Sequence, residues 1–220
     1  HDINWGMLIL ILGVVTMLLG AVLGLFSINL KRTLACSSMS QIGFILVGVG
    51  MQGLLGAHNQ LAVYGTVLHM VNHSLIKLIL FVIAGVIFTQ TESLNLNEIR
   101  GWGRGKPLLA FCFLMAAVGV GGIPLWSGYI SKTLLHEGIV EYIEILAAQG
   151  GAGLMRVIEW LFLIAGGMTL AYMTKLFVAI FIEQKPESTV EKSKYMDKPT
   201  AVMLTVSGLI LLFFGLFAHG

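Results

Sequence analysis

Three ionisable residues stand four apart in the run His69-Met70-Val71-Asn72-His73-Ser74-Leu75-Ile76-Lys77. On an α-helix this spacing puts His69, His73 and Lys77 on one face, turn above turn. Histidine exchanges protons near neutral pH, and a lysine withdrawn from water gives up its proton more readily. The stripe could therefore pass protons along a helix. Two histidines could instead bond to neighbouring helices or hold a metal ion. A zinc site needs further ligands, and no carboxylate or cysteine lies near in this segment, so metal is the weakest of the three readings. A fourth group, Lys132, follows the run Gly121-Gly122-Ile123-Pro124-Leu125-Trp126-Ser127-Gly128. Gly121, Gly122 and Gly128 weaken a helix there, and Pro124 removes a backbone donor. A lysine beside carbonyls freed by such a break can hold or release a proton without a carboxylate partner. The competing reading is a lysine that reaches out to an interface.

The elements that must position these residues are apolar helices. Of the 220 residues, 57% are hydrophobic and 11% charged, and the mean hydropathy is +0.90. A soluble domain carries about 25% charged residues, so this chain cannot cover a water-facing surface. Apolar runs near 6–28, 33–55, 60–88, 107–121 with 127–147, 154–182 and 199–218 each approach the roughly 20 residues that a membrane span needs. Pro107 and Pro199 each stand at the opening of a run, where a missing N–H is harmless. The expected fold class is an all-α polytopic membrane protein, a single transmembrane domain over 1–220.

The segment 107–147 is one broken span or two whole ones, and charge discriminates. As one span, it leaves Lys31, Arg32, Arg100, Arg104, Lys106, Lys185, Lys192, Lys194 and Lys198 on one side and only Arg156 on the other. As two, it splits the basic residues. The positive-inside rule favours one broken span, hence six crossings, with Lys31, Arg100, Arg104, Lys106 and the linker 183–198 in the cytoplasm. His136, Glu137, Glu141 and Glu144 then lie at or beyond the outer interface. A break at membrane depth must face protein or a cavity, because free backbone groups cannot face lipid.

Other polar residues are weaker pointers. Lys175 could join a relay or reach the cytoplasmic interface. Glu159 has Arg156 three residues away, which predicts a local ion pair. Lys31 at a helix junction reads as an anchor. Ser37, Ser38, Ser40 and Gln41 can glue helices or host water. Cys36 and Cys112 lack metal-ligand spacing and read as packing residues. A net charge of +2 argues against nucleic acid. The chain begins at His1 with no basic-then-apolar leader ahead of the first run, so its start is expected to be a cut.

Three stretches together resemble a known family. Asn29-Leu30-Lys31-Arg32-Thr33-Leu34-Ala35-Cys36-Ser37-Ser38-Met39-Ser40-Gln41-Ile42-Gly43-Phe44 is similar to its D-I-K-R-x-x-A-Y-S-[ST]-x-S-Q-[IL]-G motif. His69 through Lys77 resembles its H-x-x-x-H-[AS]-x-x-K helix. Gly122-Ile123-Pro124 with Ser127-Gly128-Tyr129-Ile130-Ser131-Lys132 resembles its G-[IL]-P-P-x-x-G-F-x-[SG]-K break. The family comprises the antiporter-like proton-channel subunits of respiratory complex I, of related membrane hydrogenases and of Mrp antiporters. The resemblance implies that this chain is the second of two inverted repeats plus the last helix. It further implies a relay of His69, His73, Lys77 and Lys132, with Lys31 joining at its junction. Apart from the resemblance, a path from Lys132 past His136 and Glu137 would give a released proton an exit toward the outer side.

The departures are Leu125 for the second proline, Asn29 for the aspartate and Cys36 for the tyrosine. None removes a titrating relay group. The family's glutamate–lysine pair for proton uptake has no counterpart and would lie in a missing N-terminal half, so the isolated chain is expected to transport poorly. The implied partners are that half, other subunits of a membrane complex, lipid, and protons or Na+. The implied location is a prokaryotic-type inner membrane. No cysteine cluster or glycine-rich nucleotide loop is present, so no cofactor is expected. Two other readings are a non-conducting scaffold remnant and a quinone-binding enzyme subunit. The second rests on the family association alone.

Overall fold

A computed structural model describes residues 4–184 and 195–217. Seven helices account for most of them: α1 (Trp5–Phe26), α2 (Leu30–Leu55), α3 (Gln60–Thr91), α4 (Pro107–Gly121), α5 (Ser127–Ala148), α6 (Gly153–Phe177) and α7 (Lys198–Phe217). No strand occurs among the described residues; one isolated bridge joins Asn29 to Asn95. Asn4 caps α1, its side-chain oxygen accepting from the Met7 N–H at 3.1 Å. Asn29 caps α2 in the same way, accepting from the Arg32 N–H at 3.1 Å, which is why α2 starts at Leu30, ahead of the residue 33 that apolarity alone suggests.

Helices α1, α2, α3, α6 and α7 are long and apolar enough to cross a membrane. At about 1.5 Å per residue the 15-residue α4 reaches only about 22 Å, short of a hydrocarbon core of about 30 Å. Helix α4 leaves the loop that follows α3. The acidic stretch of α5 lies against the turn between α2 and α3, at the opposite end of the bundle. The two helices therefore make one interrupted crossing, and with the five long helices the described residues form a polytopic membrane bundle of six crossings.

Two features set its shape. Helices α1 and α2 touch backbone to backbone through glycine. A Cβ on Gly43 would overlap the Met17 backbone, and one on Gly20 would overlap the Ser40 backbone. The Ser40 hydroxyl then donates to the Met17 carbonyl at 2.9 Å. The second feature is a seam of loops at one end. The Leu30 N–H donates to Leu94 O at 2.8 Å and the Leu96 N–H to Ile28 O at 2.9 Å. Helix α6 widens into a π-turn over Val178–Ile182, and its carbonyls at Ala179 and Ile180 accept the Gly101 and Gly103 N–H groups, each at 2.8 Å. Arg100 pairs with Glu183 at 2.5 Å. The linkers carrying Lys31, Arg100, Arg104 and Lys106 thus share one end of the bundle. Lys185, Lys192 and Lys194 lie outside the described residues.

Candidate functional site

The break between α4 and α5 is the centre of the site. Gly122 takes φ 75° and Leu125 takes φ 76°, two left-handed residues that turn the chain back. The first turn of α5 lies on the last turn of α4, and a Cβ on Gly128 would run into the Gly119 carbonyl. The turn frees carbonyls, and side chains take them up. The Lys132 ammonium donates to Val120 O at 2.8 Å, and the Asn72 amide donates to Ser127 O at 3.0 Å. Lys132 also sits over the Phe44 ring, 4.7 Å from its centroid. At 9% exposure it is buried, so it does not reach an interface.

His69, on α3, bridges three helices. Its Nδ1 lies 2.9 Å from the Ser131 hydroxyl of α5, and its Nε2 lies 3.0 Å from Gln41 Oε1 of α2. A side-chain carbonyl only accepts, so Nε2 carries the hydrogen and Nδ1 accepts from Ser131. Gln41 Nε2 reaches Thr169 of α6 at 3.4 Å, and Tyr172 of α6 donates to Ser37 at 3.0 Å. Lys77 is buried and donates to Leu34 O at 3.0 Å. Between them, half-buried His73 has a buried Nε2 that meets no hydrogen-bond partner among the described residues. His69 and Lys77 thus face protein at membrane depth, where a lipid-facing charge would cost about 2.5–3.5 kcal/mol.

Beyond Lys132 a cavity of about 200 Å3 opens between α5 and α6, lined by Phe44, Gly122, Lys132, His136, Phe162 and Gly166 among others. His136 Nε2 lies 2.9 Å from Glu159 Oε1. This corrects the expected Arg156–Glu159 pair: the carboxylate turns inward to α5, and Arg156 is exposed. Glu137 is turned away from the cavity. It lines a separate cleft with His58, Gln60, Glu141 and Glu144.

The remaining candidates sit at the loop seam. Lys31 is exposed. Lys175 donates to Gly24 O at 3.3 Å and to Leu25 O and Ser27 O at 2.7 Å each, so it binds the free carbonyls that end α1. Among the described residues no group of three or more His, Cys, Asp or Glu could hold a metal ion. Sequence reasoning missed Asn72, Thr169 and Tyr172, and gave Glu159 the wrong partner. Asn72 had a legible signal, since it shares the face of His69 and Ile76 at helical spacing.

Fold and site together define a polytopic α-helical membrane protein with a discontinuous helix and a buried histidine–lysine line. Residues 1–155 match the transmembrane family described as NADH:quinone oxidoreductase/Mrp antiporter, and the chain belongs to that family. It is 28% identical over 220 residues to a Staphylococcus saprophyticus protein named "Putative antiporter subunit mnhA2", covering 94% of this chain and 27% of the relative. It is 26% identical over 216 residues to NAD(P)H-quinone oxidoreductase chain 4 of Prochlorococcus marinus, covering 95% of this chain and 37% of the relative. The chain thus spans well under half the length of these curated relatives. Its fold is shared with a chain of the Mrp complex from Dietzia sp. DQ12-45-1b, at TM-score 0.79 and 19% identity over 98% of this chain and 45% of that one. It is shared also with a chain of respiratory complex I from Thermus thermophilus, at TM-score 0.72 and 23% identity over 97% of this chain and 41% of that one.

Proposed function

We propose that this chain carries protons across the inner membrane of a prokaryote, as part of an ion-translocating subunit in a complex I-like or Mrp-type assembly. The observation that carries the reading is the line Lys77–His73–His69–Ser131–Lys132, buried except at half-buried His73, which ends at the helix break. Its lysines rest on backbone carbonyls, not on carboxylates. A neutral amine still donates to a carbonyl, so loss of the proton leaves no partner charge stranded at membrane depth. His69 serves as a shuttle: protonated on both nitrogens it donates to Gln41 and Ser131, and neutral it accepts from Ser131. When His69 is protonated and donates to Ser131, the Ser131 hydroxyl turns its one hydrogen to Gly128 O, 3.2 Å away. The break frees the Val120 carbonyl that holds Lys132, which ties the fold defect to the chemistry.

The family and the likeness to subunits of multisubunit complexes support the assembly, and the basic loop seam supports a cytoplasmic placement of that end. The test uses the assembly that contains this chain, reconstituted in liposomes with a pH-sensitive dye. Lys77→Met is expected to lower proton flux at least tenfold with the subunit composition unchanged. Wild-type flux in that variant removes the relay and leaves a helical scaffold.

A further inference from the structure

The proposed relay passes from α3 to Lys132 on α5, and titratable groups continue beyond it. Helices α5 and α6 face each other across the cavity of about 200 Å3, Lys132 and His136 on one wall, Phe162 and Gly166 on the other. His136 is one turn past Lys132. Glu159 is one turn from Phe162, on the same face of α6. Their contact at 2.9 Å, with both side chains 26% exposed, joins the two walls. Helix α6 begins at Gly153, so Glu159 lies about 9 Å along it from the end opposite the loop seam. The pair therefore stands between the Lys132 cavity and that surface. Phe162 stacks on the His136 ring at 6.2 Å, which fixes the imidazole. An ionised carboxylate only accepts, so Nε2 carries the hydrogen and Nδ1 keeps a lone pair.

We propose that His136, held by Glu159, is the proton-release group of this chain. The inference rests on the relay reading. In the step, one Nζ–H bond of the Lys132 ammonium breaks and the amine keeps the electron pair. The proton crosses the cavity, whose volume accommodates several waters at about 30 Å3 each, and forms an N–H bond at His136 Nδ1. The Glu159 carboxylate balances the imidazolium in a site walled by Phe44 and Phe162. Loss of the Nδ1 proton to water at the surface resets the pair, and no electron changes hands.

The test compares variants in the reconstituted assembly. His136→Gln keeps a donor for Glu159 but cannot carry a proton; flux is expected to fall at least tenfold. Glu159→Gln is expected to fall similarly, while Glu159→Asp retains most of the flux. His136→Ala is expected to regain flux on addition of imidazole, a carrier small enough for the cavity, and Lys132→Ala is not. Wild-type flux in His136→Gln beside an inactive Lys132→Ala overturns this assignment and leaves the relay standing. Wild-type flux in both removes the relay itself. A His136→Ala variant that is inactive and unmoved by imidazole, in an intact assembly, assigns the pair to helix packing and also overturns it.

Discussion

Replacing Lys132 by methionine separates its chemistry from its packing. Methionine keeps the length of the stem that lies against Gly122, but it removes the ammonium. The Val120 carbonyl then loses its donor, which costs about 1–3 kcal/mol for a buried acceptor. The contact with the Phe44 ring goes too, worth about 0.5–2 kcal/mol. Against these, an amine no longer has to be held at membrane depth, which saves about 2.5–3.5 kcal/mol. The opposing terms nearly cancel, so Lys132→Met is expected to assemble at wild-type level. Proton flux is expected to fall at least tenfold, equivalent to about 1.4 kcal/mol or more on the rate-limiting barrier. Lys132→Arg is expected to fail as well, because a guanidinium keeps both charge and donors but does not deprotonate. The assay is dye-reported flux in liposomes, paired with size-exclusion analysis of the assembly. Wild-type flux in Lys132→Arg refutes the reasoning, since Lys132 would then be a fixed charge that caps α4.

Three further outcomes follow from the structure. Gly128→Ala forces a methyl group into the Gly119 carbonyl; it is expected to destabilise the bundle by about 1–3 kcal/mol or more and to lower the yield of assembled complex in detergent. Lys175→Met uncaps the carbonyls of Gly24, Leu25 and Ser27 and is expected to lower thermal stability in detergent while leaving flux per assembled complex within twofold, because Lys175 lies off the line to Lys132. Cysteine at Arg104 and at Glu137, both exposed and at opposite ends of the bundle, is expected to react with a membrane-impermeant maleimide from opposite sides, Glu137→Cys from outside intact cells. Labelling of Arg104→Cys from outside reverses the orientation.

The parts that could be read along the chain are those written in local spacing. The stripe of His69, His73 and Lys77 follows from helical period, and the break at Gly121–Gly128 from glycine and proline in an apolar run. Asn29 could also have been read as a cap, and would have moved the start of α2. The illegible parts are contacts between helices distant in sequence. Glu159 had Arg156 within one turn, but the fold gives it His136 on another helix, and no one-dimensional pattern ranks these two. Gln41 could be read as helix glue but not its partners, and Thr169 and Tyr172 had no visible purpose until the helices came together. The binding of Gly101 and Gly103 to a π-turn depends on a widening of α6 that no residue type announces.

The glycine contact between α1 and α2 bears on how the chain enters the membrane. Helix α2 carries Ser37, Ser38, Ser40 and Gln41, polar groups that gain from partners inside the bilayer. Helix α1 is much more apolar, and only Ser27, Ile28 and Asn29 separate the two. Because Gly20 and Gly43 allow direct backbone contact, Ser40 finds its acceptor at Met17 as soon as both helices are present, without waiting for α3 or α6. The contact therefore makes α1 and α2 a self-contained hairpin, in which α1 supplies the acceptor for the Ser40 hydroxyl of α2. A bulky side chain at Gly20 or Gly43 is expected to part this hairpin and to lower the amount of chain recovered in the membrane, whatever the chain does once folded.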